Sequence, residues 1–186
     1  MSWIKEIEEE DAEGKLGELY DGLKKQRGKI SNIMKVHSLN PNALAAHLDL
    51  YMSIMFRDRK ISREECELIA VIVSASNGCK YCVEHHSEAL NHYWKDNQRI
   101  DELIMKQHEM PSLTEREKSL VRYARKLTEN PNSIENKDIE EFRDNGLSES
   151  EILNVNLITS YFNFVNRIAL GLGVEVTKEE KEGYNY

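Results

Sequence analysis

Apolar positions recur along this chain every three to four residues, and nowhere do they hold the two-residue alternation of a half-buried strand. That pattern predicts an all-α protein of many helices. Residues 11–26 read as a first helix, with Leu16, Leu19, Tyr20 and Leu23 on one stripe and Gly28 at its end. Residues 29–39 read as a loop or a short turn. Asn40-Pro41 is a cap followed by proline at the first helical position, and the helix it opens turns Leu44, Leu48, Tyr51 and Met55 toward a core.

Ser62-Arg63-Glu64-Glu65 is a capping box, in which the serine and the second glutamate satisfy each other's backbone N–H groups. The helix behind it is apolar nearly all round from Leu68 to Ala75, the mark of a central, buried helix. Asn77-Gly78 ends it. A helix over 79–95 follows, then a shorter one over 98–108. Thr114-Glu115-Arg116-Glu117 is a second box, opening a helix with Leu120, Tyr123, Ala124 and Leu127 at helical spacing. A short helix covers 135–145. Ser148-Glu149-Ser150-Glu151 is a third box and opens the last helix, with Ile152, Val155, Ile158, Phe162, Val165 and Ala169 facing inward and Gly171 to Gly173 at its end. The charged tail from Glu175 is expected to be loose.

Shifted by 84 residues, the chain matches itself weakly: Glu67 falls on Glu151, Leu68-Ile69 on Ile152-Leu153, and Cys79 and Cys82 on Asn163 and Asn166. A duplication that lost its thiols would produce this match, and so would two unrelated apolar helices.

The chain has 186 residues, which suggests a single domain over 1–186 with its core in about 10–175. A net charge of −8 argues against a nucleic-acid or anionic-membrane partner, since such binding needs clustered Lys and Arg. No apolar run reaches the ~18 residues of a membrane span. The first ten residues are acidic where a signal peptide would be basic and then apolar, so a cytoplasmic location is expected. Three cysteines cannot all pair within one chain. In a reducing compartment a close pair is more often catalytic or metal-binding than a structural staple.

Two of those cysteines lie in Asn77-Gly78-Cys79-Lys80-Tyr81-Cys82-Val83-Glu84-His85-His86. Cys79 is placed at the mouth of a new helix and Cys82 in its first turn, where the helix N-terminus favours thiolate. Two cysteines three apart in a first turn come within disulfide reach. His86 is four residues past Cys82 and shares its face. The segment reads first as a redox dithiol with a histidine base; a zinc site or two inert buried thiols are the alternatives. Structural zinc takes four ligands, and Cys79, Cys82 and His86 supply three with no second cluster to complete the set. The haem-attachment pattern would need histidine where Val83 stands.

If the helices on either side of Gly78 run antiparallel as a hairpin, Glu67 and His86 lie at similar heights, at ~1.5 Å of rise per residue. Glu67 could then orient His86, or it could simply complement the N-terminus of its own helix. Tyr81 either joins a proton path or packs in the core, packing being the commoner fate. Cys66 reads as a small buried thiol. His85 reads as a surface residue, and His92 is given no role. Asn163 and Asn166 either hydrogen-bond across a core or line a pocket.

The set Glu67, eleven residues, Cys79-X-X-Cys82-X-X-X-His86 resembles the motif of the alkylhydroperoxidase D-like group in the carboxymuconolactone decarboxylase family, and more narrowly its uncharacterised peroxidase-related branch. The flanking text fits as well: Pro41 before a Leu/Ala helix, Glu67-Leu68-Ile69-Ala70-Val71, Cys79-Lys80-Tyr81-Cys82, and Tyr161 to Arg167. The likeness covers roughly residues 10–175. It implies an all-helical fold with a central Cys-X-X-Cys hairpin, trimers or hexamers, and a thiol-dependent peroxidase of peroxiredoxin type. In that reading Cys82 attacks the hydroperoxide, Cys79 resolves the product, and Glu67 and His86 relay protons. An external dithiol, lipoyl or thioredoxin-like, restores the pair, and no cofactor or metal is required. The family's alkylhydroperoxidase D proteins have histidine where this chain has Tyr81, which is therefore carried as a candidate site residue. The decarboxylase members lack the cysteine pair. The alternative is a non-enzymatic thiol redox sensor or a metal-binding oligomeric module.

Overall fold

The computed structural model describes residues 2–106 and 109–177, and among them there is helix and no strand. They divide into two compact units: the described residues of Met1–Met52 and Arg167–Tyr186 form one, and Ser53–Asn166 the other.

The first unit is built from α1 (Gly14–Arg27), α2 (Asn32–Lys35) and α3 (Pro41–Met52). Helix α1 buries Leu16, Tyr20 and Leu23 as its period predicts, with Leu19 half-buried at the stripe's edge. The stretch expected as a loop or short turn holds the single-turn helix α2, which buries Ile33 and Met34. On α3 the inward residues are Leu44, His47 and Tyr51; Leu48, expected in the core, is half-buried. The reason is a partner the period could not reveal. His47 Nδ1 lies 3.2 Å from His37 Nε2, and His37 Nδ1 lies 2.8 Å from the Ile33 carbonyl. Two imidazoles that satisfy each other can be buried where a lone one would not.

The second unit begins with a π-helical turn, Ser53–Arg57, closed by the Asp58 N–H on the Ser53 carbonyl at 2.9 Å and burying Ile54 and Met55. Helix α4 (Arg63–Ser76) starts on its capping box, with Ser62 N–H to Glu65 Oε2 at 2.8 Å and Glu65 N–H to Ser62 Oγ at 3.1 Å. Its residues 66–74 are buried without a break. They are covered by α5 (Lys80–Trp94), α6 (Asn97–Lys106) and α7 (Glu115–Glu129), which is why the sequence there shows no polar face. The predicted end of the 98–108 helix lies outside the described residues.

Helix α7 buries Leu120, Tyr123 and Ala124, with Leu127 half-buried. After α8 (Asn136–Asp144), helix α9 (Glu149–Leu172) buries Ile152, Val155, Ile158, Phe162 and Val165 in this unit. Arg116, near the start of α7, reaches Glu65 at 2.6 Å and Glu151 at 2.8 Å, the box glutamates of α4 and α9, and so ties three helix starts together. Aligned on these boxes, α4 and α9 are offset by 86 residues rather than the 84 of the sequence match. Of the tail expected to be loose, only residues 175–177 are described. Among the described residues no helix is long and apolar enough to cross a membrane.

Candidate active site

Helix α4 delivers one carboxylate and α5 delivers two thiols and an imidazole, and the short link between them sets their positions. Gly78 takes φ +68°, a left-handed backbone that glycine adopts without strain. The chain then doubles back, and the Cys79 N–H donates to the Ser74 carbonyl at 2.9 Å. Cys79 becomes the N-cap of α5, with Cys82 in its first turn, and their Sγ atoms stand 2.9 Å apart, close enough to share a proton. Both are free thiols, 1% and 2% exposed.

On α4, Glu67 is 0% exposed. One carboxylate oxygen, Oε2, lies 2.6 Å from His86 Nδ1, and the other is ion-paired with Arg63 one turn earlier on α4. A carboxylate only accepts, so the His86 Nδ1–H is the donor, and Nε2 is left as the ring's acceptor. The ring also packs edge-on against Phe162 at 4.5 Å between centroids. Arg63 is itself held, donating to the Met55 carbonyl at 3.1 Å and lying over the Phe56 ring at 3.9 Å.

Behind the thiols is a chain of amides. Asn77 Nδ2 donates to both Asn163 Oδ1 and Asn166 Oδ1 at 3.0 Å. Asn166 Nδ2 donates to Ser74 Oγ at 3.2 Å, and Asn163 Nδ2 donates to Thr128 Oγ1 at 2.9 Å and to the Thr159 carbonyl at 3.0 Å.

Two groups that share a proton titrate as a pair. The hydrogen bond with Cys82 holds Cys79 below its ordinary thiol value, against the opposing effect of burial. That same bond, together with burial, pushes Cys82 well up, while Asn166 pulls it back down. In the resting dithiol the easier ionisation is therefore at Cys79. Burial pushes the Cys66 thiol up to about 12, which keeps it protonated and out of this chemistry.

Of the residues singled out in the sequence, Cys79 meets Cys82 and His86 meets Glu67, the two pairs being carried by the adjoining helices α4 and α5. Tyr81 is buried, its ring against that of His85 at 4.6 Å, so His85 is half-buried rather than a plain surface residue. The amides of Asn163 and Asn166 bond across the core. Sequence reasoning missed Arg63, although its i, i+4 spacing to Glu67 was a readable signal. It also missed Ser74 and took Asn77 only as a helix end; nothing in the chain links Asn77 to partners 86 and 89 residues away. Among the described residues no group of three or more His, Cys, Asp or Glu side chains is arranged to hold a metal ion.

The model of the carboxymuconolactone decarboxylase family matches residues 41–126, which span α3 to most of α7 and include every one of the four grouped residues. No curated protein sequence matches the chain. Among solved structures, an uncharacterized peroxidase-related protein from Silicibacter sp. TM1040 is 26% identical with a TM-score of 0.87, over 98% of this chain and 95% of that one. An uncharacterized peroxidase-related protein with an alkylhydroperoxidase AhpD core, from Ralstonia eutropha JMP134, is 22% identical with a TM-score of 0.86, over 97% and 94%. A cysteine-to-alanine variant of the debrominase Bmp8, in complex with 2,3,4-tribromopyrrole, shares the fold at 18% identity and a TM-score of 0.79, over 97% and 96%.

Proposed function

We propose that this chain, whose residues 41–126 match the carboxymuconolactone decarboxylase family model and whose fold is that of the peroxidase-related structures, is a member of that family and a thiol-dependent peroxidase working through a Cys79/Cys82 dithiol–disulfide cycle. The observation that carries this reading is the pairing of two thiols 2.9 Å apart at a helix start with a Glu67–His86 hydrogen bond of 2.6 Å on the adjoining helix.

The chemistry runs in two steps. His86 Nε2 takes the Cys82 thiol proton, and the Cys82 thiolate attacks the terminal oxygen of a hydroperoxide; the O–O bond breaks, the alkoxide takes that proton back from His86 and leaves as alcohol, and Cys82 becomes a sulfenic acid. Cys79 then attacks the oxidised Cys82 Sγ; the S–O bond breaks, hydroxide leaves as water with the Cys79 proton, and a disulfide forms. Glu67 keeps the His86 Nδ1–H in place throughout, so that Nε2 is the atom that gains and loses protons. An external dithiol, lipoyl or thioredoxin-like, reduces the disulfide by exchange. In this reading the helical pair carrying Glu67, His86 and the two cysteines is the catalytic hairpin, and Tyr81, buried on α5 against His85, serves its packing.

We take the protein to be cytoplasmic and a homo-oligomer, a trimer or hexamer. The second unit supports self-association with exposed apolar side chains on α9, Leu153 at 59% and Phe164 at 51%.

The test is stopped-flow oxidation of the reduced protein by cumene hydroperoxide, with wild type beside Cys82→Ser, Cys79→Ser and His86→Ala. The expected result is fast loss of two thiols in wild type and a Cys79–Cys82 disulfide, with no fast phase in Cys82→Ser. Cys79→Ser should stop at the sulfenic acid. Fast peroxide consumption by Cys82→Ser would overturn the reading.

A further inference from the structure

The π-helical turn before α4 gives Arg63 its seat. A single turn of this kind ends before its carbonyls find ladder partners. Asn154, 4% exposed, takes the Ile54 carbonyl at 3.3 Å and accepts the Lys60 N–H at 2.8 Å, which ties the turn to α9. Arg63 takes the next carbonyl: its Nη1 donates to Met55 at 3.1 Å, and its Cζ lies 3.9 Å over the Phe56 ring. With that arm and that face engaged, Nη2 is the nitrogen ion-paired with Glu67 Oε1. The Arg63 side chain is 16% exposed and that of Glu67 0%, so water screens the pair poorly. The other glutamates of α4 are engaged elsewhere. Glu64 Oε1 accepts from the Trp94 indole N–H at 2.6 Å, and Glu65 is bonded to the Ser62 N–H and to Arg116.

We propose that Arg63 is a positioning residue of the relay: it holds Glu67 Oε1, leaves Oε2 for His86, and balances the carboxylate charge so that the imidazole stays neutral. This rests on the reading of Glu67 and His86 as the proton relay. A buried carboxylate draws a compensating charge from its surroundings. With Arg63 removed, His86 is the group bonded to Glu67 that can supply it, by taking a proton on Nε2 as imidazolium. The ring then has no lone pair left to act as a base. Arg63 acts on the ring through Glu67.

That dependence gives the effect of losing Arg63 opposite signs in two backgrounds. Beside Glu67 the loss protonates Nε2. In Glu67→Gln, Arg63 claims the amide oxygen and turns the NH2 toward His86; taking Arg63 away there frees the oxygen for the Nδ1–H and returns Nε2 to its role as base.

The test compares wild type, Arg63→Met, Glu67→Gln and the double variant Arg63→Met/Glu67→Gln. Nitrogen-15 imidazole spectra of the reduced proteins at about pH 7.5 give the state of His86, and stopped-flow oxidation by cumene hydroperoxide gives the rate. Wild type should show a neutral ring with its proton on Nδ1. Arg63→Met should show imidazolium and oxidise about 10²-fold more slowly, the low end of general-base contributions. The double variant should recover the Nδ1–H ring and oxidise about tenfold faster than Glu67→Gln. It leaves no buried charge bare, so it decides the matter alone if circular dichroism shows that Arg63→Met does not fold.

An imidazolium in wild type, a folded Arg63→Met with the wild-type ring, or a double variant whose ring stays as in Glu67→Gln would overturn the proposal. An arginine that served the fold alone would make the double variant slower than Glu67→Gln, not faster. The ring spectra need no peroxide, which separates the two readings: the expected ring states in a protein whose wild type is slow with cumene hydroperoxide would sink the peroxidase and leave the Arg63 role standing.

Discussion

Replacing Glu67 with glutamine tests the proton relay at its least forgiving point. The carboxylate faces a donor on each side, Arg63 on one oxygen and His86 Nδ1–H on the other. Glutamine has one oxygen and one NH2, so one of the two donors must now face N–H groups. Arginine cannot deprotonate, but a neutral imidazole can change tautomer. The histidine therefore yields: Nδ1 becomes the acceptor, and Nε2 takes the proton and stops being a base. In hydrolytic triads the same carboxylate-to-amide change costs about 10⁴ in rate through the wrong tautomer. General acid–base contributions elsewhere run from about 10² to 10⁴.

Cys82 oxidation in Glu67→Gln should accordingly slow by about 10²- to 10⁴-fold. The fold should lose only about 1–3 kcal/mol, the cost of a weakened charged hydrogen bond. The Arg63 charge stays stacked on Phe56 and bonded to the Met55 carbonyl, so it is not left bare. Stopped-flow oxidation gives the rate, urea unfolding the stability, and nitrogen-15 imidazole shifts the tautomer. A rate within threefold of wild type, or a His86 that keeps its proton on Nδ1, would refute the reasoning.

Other expectations follow from the same geometry. Burial first, and the neighbouring His37 charge second, lower His47 to about 4, and burial also lowers His37. Both are therefore favoured neutral in the fold: their contribution is complete above pH 6.5 and is lost as pH falls through about 4. It amounts to about 3 kcal/mol for His47 alone. Urea midpoints that do not drop between pH 7 and 4, or that drop equally in His47→Gln, would contradict this. Cys66, with its thiol raised to about 12, should resist maleimide at pH 8 until the protein unfolds, while Cys79, whose thiol is lowered, reacts first in the native state; native labelling of Cys66 as fast as that of Cys79 would be the contrary result. Gly78→Ala meets no neighbour within 4 Å but must hold φ +68°, so it should cost about 1 kcal/mol in thermal or urea stability. A variant as stable as wild type would show that the turn relaxes.

What the sequence determined by itself was local. Ser62, Thr114 and Ser148 start helices because each box closes within three residues, whatever surrounds it. Gly78 ends one helix and Cys79 caps the next for the same reason, so the placing of both thiols at a helix start was legible. The height match of Glu67 and His86 followed from helical rise alone. The apolar stripe of α9 could be read because 3.6-residue periodicity records which side is wet.

Tertiary structure decided what depends on partners distant in the chain. His47 rather than Leu48 faces inward because His37 is there to satisfy it, and period alone cannot weigh a polar pair against an aliphatic side chain. The three amides meet across 86 and 89 residues, and which end of each points where depends on one carbonyl of α9.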